Sequence, residues 1–203
     1  MHAAASSSNR TGAVALAIAR GGFYNQSTRI RPRRGWSADS DGDSMDASSR
    51  EQIGLGLGRI PSGLFILTAR HQDTRTGMLA SWVQQAGFEP PAVSVAVRRG
   101  RVIERLIEQS GRFALNQLAA EPGSLLKHFA RGFGPDEDVF AGVSAREVAG
   151  GIGLSGAMSV LSCDVRGRHD AGDHWLYIGT VVAAECSGDL TPYVHVRRSG
   201  LSY

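Results

Sequence analysis

A mainly β fold, an antiparallel barrel of six or seven strands with two short helices beside it, is what this sequence predicts, and three observations predict it. Residues 76–84 alternate, with Gly77, Leu79, Ser81 and Val83 on one face and Met78, Ala80, Trp82 and Gln84 on the other. After Gly87 and the pair Pro90-Pro91, residues 92–97 are almost wholly apolar and β-prone. Two longer β-prone stretches, 157–168 and 175–186, flank a turn near Ala171 and Gly172. Helical spacing is confined to short pieces, too sparse for a parallel sheet built from alternating strands and helices.

The remaining elements follow in order. Ser48-Ser-Arg-Glu51 has capping-box spacing, so a short helix opens there and closes near residues 56–58. Pro61 and Gly63 interrupt before a strand at 64–69, and the polar stretch 70–75 turns the chain into 76–84. Arg98-Arg-Gly-Arg101 reads as a turn. Val102, Leu106 and Ile107 then give the spacing of an amphipathic helix ending at Ser110-Gly111. A strand is expected at 113–118 and a second helix at 123–132 with Leu125, Leu126 and Phe129 on one side. The stretch 135–140 is a polar loop, 150–156 is glycine-rich, and a last short strand covers 193–197.

Charge divides the chain. Of 22 basic and 19 acidic residues, seven Arg and four Asp fall in the first 50 positions, leaving 15 of each sign in the body. The basic excess therefore belongs to the leader, and the neutral body argues against a nucleic-acid binder. No apolar run approaches the roughly 20 residues of a membrane-spanning helix. The first 38 residues are rich in Ala, Ser and Arg and lack acid, the composition of an organelle transit peptide; an attached disordered basic tail is the alternative. With the Asp/Ser/Gly linker 37–49, this sets the leader at 1–48 and the folded domain at 49–203, with the plastid stroma as the expected location and mitochondrion or cytosol as alternatives. Cys163 and Cys186 are the two cysteines. In the hairpin of the two long strands Cys163 stands opposite about position 180, so Cys186 lies on the order of 20 Å further along. Both are expected as buried free thiols.

The stretches Arg59-Ile-Pro-Ser-Gly63, Ala80-Ser-Trp-Val83 with Phe88-Glu-Pro-Pro91, Phe113-Ala-Leu-Asn116, Lys127-His-Phe129, Asp138-Val-Phe-Ala-Gly142, Gly172-Asp-His-Trp175 and Val194-His-Val-Arg197 occur in this order. In that arrangement the chain resembles the flavin reductase-like, FMN-binding split-barrel family, and within it the C-terminal flavin reductase domain of the flavodiiron proteins of oxygenic phototrophs. The resemblance runs from about Arg59 to Tyr203. It implies a six-stranded antiparallel split β-barrel of Greek-key type, FMN as cofactor, NAD(P)H as co-substrate, and a homodimer that passes electrons to free flavin or an acceptor protein. A non-catalytic flavin-binding module that keeps only the fold is the alternative function. The usual second His of the C-terminal motif is Val196 here, which puts proton handling by the tail in doubt.

Candidate residues follow from both readings. Arg98, Arg99 and Arg101 cluster ahead of a helix start, where cations and backbone N–H donors suit a phosphate, although a solvated turn explains them equally. The resemblance places the FMN phosphate near this turn, with Arg98 and Arg101 as the candidates and the choice among the three arginines open. Thr76, Gly77, Ala80 and Ser81 are small enough to let a flat ligand lie close to main chain. Ala80, Ser81, Trp82, Val83 and Gln84 correspond to the family strand beside the isoalloxazine, with Trp82 open to a role as core, dimer surface or ring partner. Phe113, Ala114 and Asn116 carry over as a second flavin-lining segment. His174, expected in the hairpin turn beside Asp173, corresponds to the flavin and NAD(P)H face and is the candidate catalytic residue. No metal-ligand spacing of the CxxC or HExxH kind occurs, nor a P-loop.

Overall fold

The computed structural model describes residues 46–134 and 137–202. Three helices, α1 (Ala47–Gly58), α2 (Val102–Ser110) and α3 (Gly123–Ala130), accompany nine strands: β1 (Phe65–His71), β2 (Thr74–Ala80), β3 (Val83–Phe88), β4 (Pro91–Arg98), β5 (Arg112–Gln117), β6 (Ala145–Val148), β7 (Gly151–Leu154), β8 (Ser159–Asp170) and β9 (His174–Cys186). Seven strands form one antiparallel sheet in the order β2-β1-β5-β8-β9-β4-β3, and β6 pairs with β7. The two edge strands, β2 and β3, are consecutive in the chain, so the sheet curls until its edges are joined by the link Ser81-Trp82 rather than by a ladder.

Period-two alternation gives this sheet two apolar faces. Phe65, Leu67 and Ala69 of β1 point into the barrel with Val93, Val95 and Val97 of β4, Phe113 and Leu115 of β5, Cys163 of β8 and Tyr177 of β9. The alternate residues Ile66 and Ile152 join Leu118, Leu125 and Phe129 in a second core outside the barrel, under α3. Helix α2 plugs the barrel with Ile103, Leu106 and Ile107, each contributing about 1.5–3 kcal/mol when buried. Gly111, in the left-handed region at φ 66°, ends the helix, and its N–H reaches Ile107 O at 2.8 Å.

Several expectations need correction. The segment 76–84 is not one strand. The chain breaks at Ser81-Trp82, and Ala80 and Val83, three residues apart, both face the barrel core; a two-residue link between strands cancels the alternation that put them on opposite faces. The Gly/Pro connection is itself mostly strand, since 85–88 belong to β3 and only Glu89-Pro90 turns the hairpin. The first helix is capped by Asp46, whose carboxylate accepts the Ser49 N–H at 2.9 Å, so the folded part begins before residue 49. In α2, Ile103 takes the buried position and Val102 is exposed. The glycine-rich stretch is the β6–β7 hairpin. The expected strand at 193–197 is a tail held by backbone bridges, Pro192 to Ala119 and His195 to Ser62.

The second half fits closely. Strands β8 and β9 form the expected hairpin, with Gly172 at φ 80° and the Ala171 N–H donating to His174 O at 3.0 Å. Cys163 pairs with Val181 and Cys186 with Ser159, so the thiols are separated as the register demands. Cys163 is buried, but Cys186 is exposed at the strand end, contrary to expectation. No helix among the described residues is long and apolar enough to cross a membrane. Apart from its last three residues, the expected leader 1–48 lies outside the described residues, as do Pro135 and Asp136 of the expected loop.

Candidate functional site

The link between β2 and β3 and the ends of β4 and β9 meet at one place. The Trp82 carbonyl accepts the Ala96 N–H at 3.0 Å, which fastens the link to β4. Two residues on, Arg98 pairs with His174, the first residue of β9. The rings of Trp82 and His174 consequently lie 4.7 Å apart, inclined at 46°. His174 is buried, 4% exposed, and its Nδ1 is 2.8 Å from the Asp173 carboxylate. That contact holds the Asp173 carboxyl below the usual carboxylate range. The expectation of a turn histidine with its ring turned to a cleft is therefore corrected: His174 is a strand residue, covered by Trp82. A third group completes the cluster, the Arg197 guanidinium, centred 4.8 Å from the Trp82 ring.

The arginine turn beside this cluster sorts itself by partner. Arg99 is engaged, ion-paired with Asp170 at 2.5 Å and stacked 3.9 Å from Trp175, whose ring Arg168 also approaches at 3.9 Å. The Arg99 N–H reaches Asp173 O at 3.0 Å, tying the turn to the strand that carries His174. Arg98 and Arg101 are exposed and make no ion pair among the described residues. Arg101 is the N-cap of α2, yet no side chain caps that helix; the Glu104 carboxylate instead reaches back to accept the Gly100 N–H at 2.7 Å. Two amides of the turn, those of Arg99 and Gly100, are thus already satisfied, and anion binding here would rest on the two guanidinium groups.

Four expected flavin-lining residues are not brought to this cluster. Thr76 pairs with Ala69 and lies four residues from Ala80, on the order of 13 Å at strand rise. Phe113 is fully buried inside the barrel, and Ala114 and Asn116 are fully buried on its other face. Every polar atom of the Asn116 amide is engaged: Nδ2 donates to Ile152 O (2.9 Å) and Ile66 O (3.2 Å), and Oδ1 accepts from Leu154 N–H (2.7 Å). With Thr68, whose Oγ1 donates to Ile152 O at 2.7 Å and accepts from Ile152 N–H at 3.0 Å, it fastens β7 onto the barrel. That leaves no atom of the Asn116 amide for a ligand, and Phe113 and Ala114 are fully buried.

Of the expected lining, Trp82, Arg98 and His174 are brought together through the β2–β3 link and the β4–β9 ladder, while Ala80 and Val83, on either side of that link, turn their side chains into the barrel core. Val83 also reaches a cleft of about 540 Å³, open between the β3–β4 hairpin and the tail and lined in part by Phe65, Gln84, Ala92, Gln117 and Tyr193. Such a volume suits a small organic ligand. Arg197 stands in a visible motif, but nothing local in the sequence announces that the tail returns to Trp82. Of the other histidines, His128 is structural, its Nε2 2.8 Å from Val139 O, and His169 is on β8. Among the described residues no three His, Cys, Asp or Glu side chains gather as metal ligands would.

An isoalloxazine needs a flat surface with narrow side chains beside it, and its ribityl phosphate needs cations. Trp82 with Ala80 and Ser81, and Arg98 with Arg101, provide that donor set at this end of the barrel, so the residues present fit the group.

Known proteins agree with the fold. Residues 57–200 match the family described as "Flavin reductase like domain". A diflavin flavoprotein from Nostoc, described as "Putative diflavin flavoprotein A 3", is 41% identical over 72% of this chain. The match covers 26% of that protein, and the chain spans about a quarter of the length of the curated relatives it matches. Among solved structures, the flavin reductase PheA2 superposes with a TM-score of 0.61 at 25% identity, covering 70% of this chain and 90% of that one. The Streptomyces globisporus NADH:FAD oxidoreductase SgcE6 shares the fold, with a TM-score of 0.67 at 24% identity over 77% of this chain and 95% of that one. By its sequence over most of its length, and by the barrel it folds into, the chain belongs to the flavin reductase-like domain family.

Proposed function

We propose that this chain is an NAD(P)H-dependent flavin reductase that holds FMN beside the β2–β3 link and passes its electrons to free flavin or to a partner protein. The observation that carries the reading is the convergence of Trp82, His174 and Arg98, which the β2–β3 link and strands β9 and β4 bring to one end of the barrel. When bound, the flavin supplies the chemistry, accepting a hydride from the reduced nicotinamide with a proton from solvent. The chain's own part is to anchor and orient. Arg98 and Arg101 neutralise phosphate charge, and Ala80 and Ser81 allow main chain to approach the ring. Trp82 forms one wall, and His174, steadied by Asp173, fixes that wall from behind. Names among the structural neighbours mention both FAD and FMN; the choice of FMN rests on the compact set of cations at one turn.

A homodimer, with flavin near the boundary between copies, belongs to the same proposal, as does a plastid location. A second reading, a flavin-binding module without turnover, is favoured by one observation: His174 is covered, and so is not displayed to a co-substrate. The test is oxidation of NADH and NADPH by the purified chain with FMN or FAD added. Turnover that requires flavin and protein together supports the reductase. Stoichiometric flavin uptake without nicotinamide oxidation replaces it with the module, and no uptake rejects both.

A further inference from the structure

Helix α1 is an unusual helix for its position. Ile53, Leu55 and Leu57 are exposed, and its two buried residues are glycines, Gly54 and Gly58, one turn apart on the same face. What covers that face is the tail of the same chain. The Arg197 N–H donates to Gly58 O at 2.9 Å and the Gly200 N–H to Gly54 O at 2.6 Å. The fit depends on missing side chains. A Cβ on Gly58 would stand 2.6 Å from Arg197 O and 3.2 Å from the carbonyl carbon of Arg198, and a Cβ on Gly54 2.9 Å from Ser199 Oγ. A Cβ on Gly200 would in turn collide with the Leu57 side chain and stand 3.0 Å from Gly58 N. Gly56, on the opposite face, has nothing within 4 Å of its would-be Cβ. Two residues of the helix are therefore glycine for contact with the tail, and the third is not.

The tail so held is the one that carries Arg197, whose guanidinium lies 4.8 Å from the Trp82 ring centre, while His174 lies 4.7 Å from the same ring. Trp82 sits on a two-residue link with strand on either side, so groups stacked on its ring bear directly on its orientation. We propose that α1 is a clasp: it holds the tail by its glycine face, and Arg197 acts as a positioning residue that fixes Trp82 against His174. The consequence for ligand binding rests on the flavin reading; the clasp itself does not.

The test uses the full chain labelled with nitrogen-15, comparing wild type with Gly58→Val, Gly56→Ala and Arg197→Gln. Two ligand-free signals are read: exchange of the Arg197 and Gly200 amides, and the indole N–H peak of Trp82, identified by its loss in Trp82→Phe. Gly58→Val is expected to speed exchange of both amides about tenfold or more and to move the Trp82 peak toward its position in Arg197→Gln. Gly56→Ala should leave both signals where they are. A Trp82 peak that stays at the wild-type position in Arg197→Gln, or amides that remain protected in Gly58→Val, would overturn the clasp. Should Gly58→Val fail to fold, Gly58→Ala, whose single added carbon already meets the Arg197 carbonyl at 2.6 Å, replaces it with the same criteria. Flavin titration of the same proteins adds the functional arm: the clasp predicts roughly tenfold weaker uptake in both tail-loosening variants, about 1.4 kcal/mol. Unaltered uptake would confine the clasp to the free protein. A wild type that takes up no flavin would reject the functional reading, while the amide and indole signals still decide the clasp.

Discussion

Trp82 and His174 stand 92 positions apart in the sequence and 4.7 Å apart in the fold, one ring tilted over the other. The route between them is short: Trp82 is fastened to Ala96 by a backbone bond, and Arg98, two residues on, lies opposite His174 in the β4–β9 ladder. Because the stack depends on that ladder, removing one ring should not dismantle the barrel. Trp82→Ala is therefore expected to retain a cooperative unfolding transition while weakening flavin uptake, with Trp82→Phe intermediate. Titration of the three proteins with FMN decides it, and equal affinities would separate this aromatic pair from ligand binding.

The Asn116 amide is a structural fastening rather than a flavin contact. Asn116→Ala would leave the Ile66 carbonyl and the Leu154 N–H without the side-chain partner each has now, and remove one of the two side-chain bonds on the Ile152 carbonyl. The Ile152 carbonyl keeps Thr68, and the Ile66 carbonyl keeps its place in the β1–β5 ladder. At about 1–3 kcal/mol for a buried group left unsatisfied, the Leu154 N–H sets the loss at roughly 1–3 kcal/mol in urea unfolding. A change below about 0.5 kcal/mol, the range of ordinary surface substitutions, would refute the assignment.

The two thiols should behave differently. Burial pushes the Cys163 thiol from an ordinary 9.0 up to about 12, with the neighbouring Asp164 charge adding to the effect, whereas Cys186 is exposed. One thiol of the native chain should thus react with a disulfide reagent at neutral pH, and Cys186→Ser should abolish that reaction. For stability, a raised folded-state value means the folded form retains the proton. The contribution of Cys163 is complete below pH 9 and is lost as pH rises from about 9 toward 12. Cys163→Ala should flatten that part of the pH–stability curve; an unchanged slope would contradict the burial argument.

Glycines in α1 give opposite expectations. Gly56→Ala meets open space and should stabilise by roughly 0.5–1 kcal/mol through helix propensity and a stiffer unfolded chain. Gly58→Ala meets backbone at 2.6 Å and should destabilise. Thermal unfolding of the pair checks the sign, and equal shifts would mean that the tail does not press on the helix as described.

The barrel was legible because alternation and turn residues are local properties. Val93, Val95 and Val97 announce a buried face by themselves, and Gly172 announces the hairpin that joins β8 to β9. The break at Ser81-Trp82 was not legible, since two residues without strand pairing preserve the look of an alternating run while reversing its sense. Asn116 misled for a related reason. An amide at the end of an apolar strand looks alike whether it meets a ligand or the backbone of a hairpin 36 residues away, and the distant glycines of β7 decide which. The role of the tail was hidden because its contacts are backbone bonds to glycines, which leave no side-chain pattern at either end.

The account stands or falls on whether the arginine turn anchors a flavin phosphate. Equilibrium titration of FMN into wild type and into the double variant Arg98→Ala with Arg101→Ala measures this directly. A loss of roughly 1–3 kcal/mol in binding, as for removed charge-assisted contacts, with the unfolding transition unchanged, is the predicted result. The same FMN affinity in both proteins would contradict it.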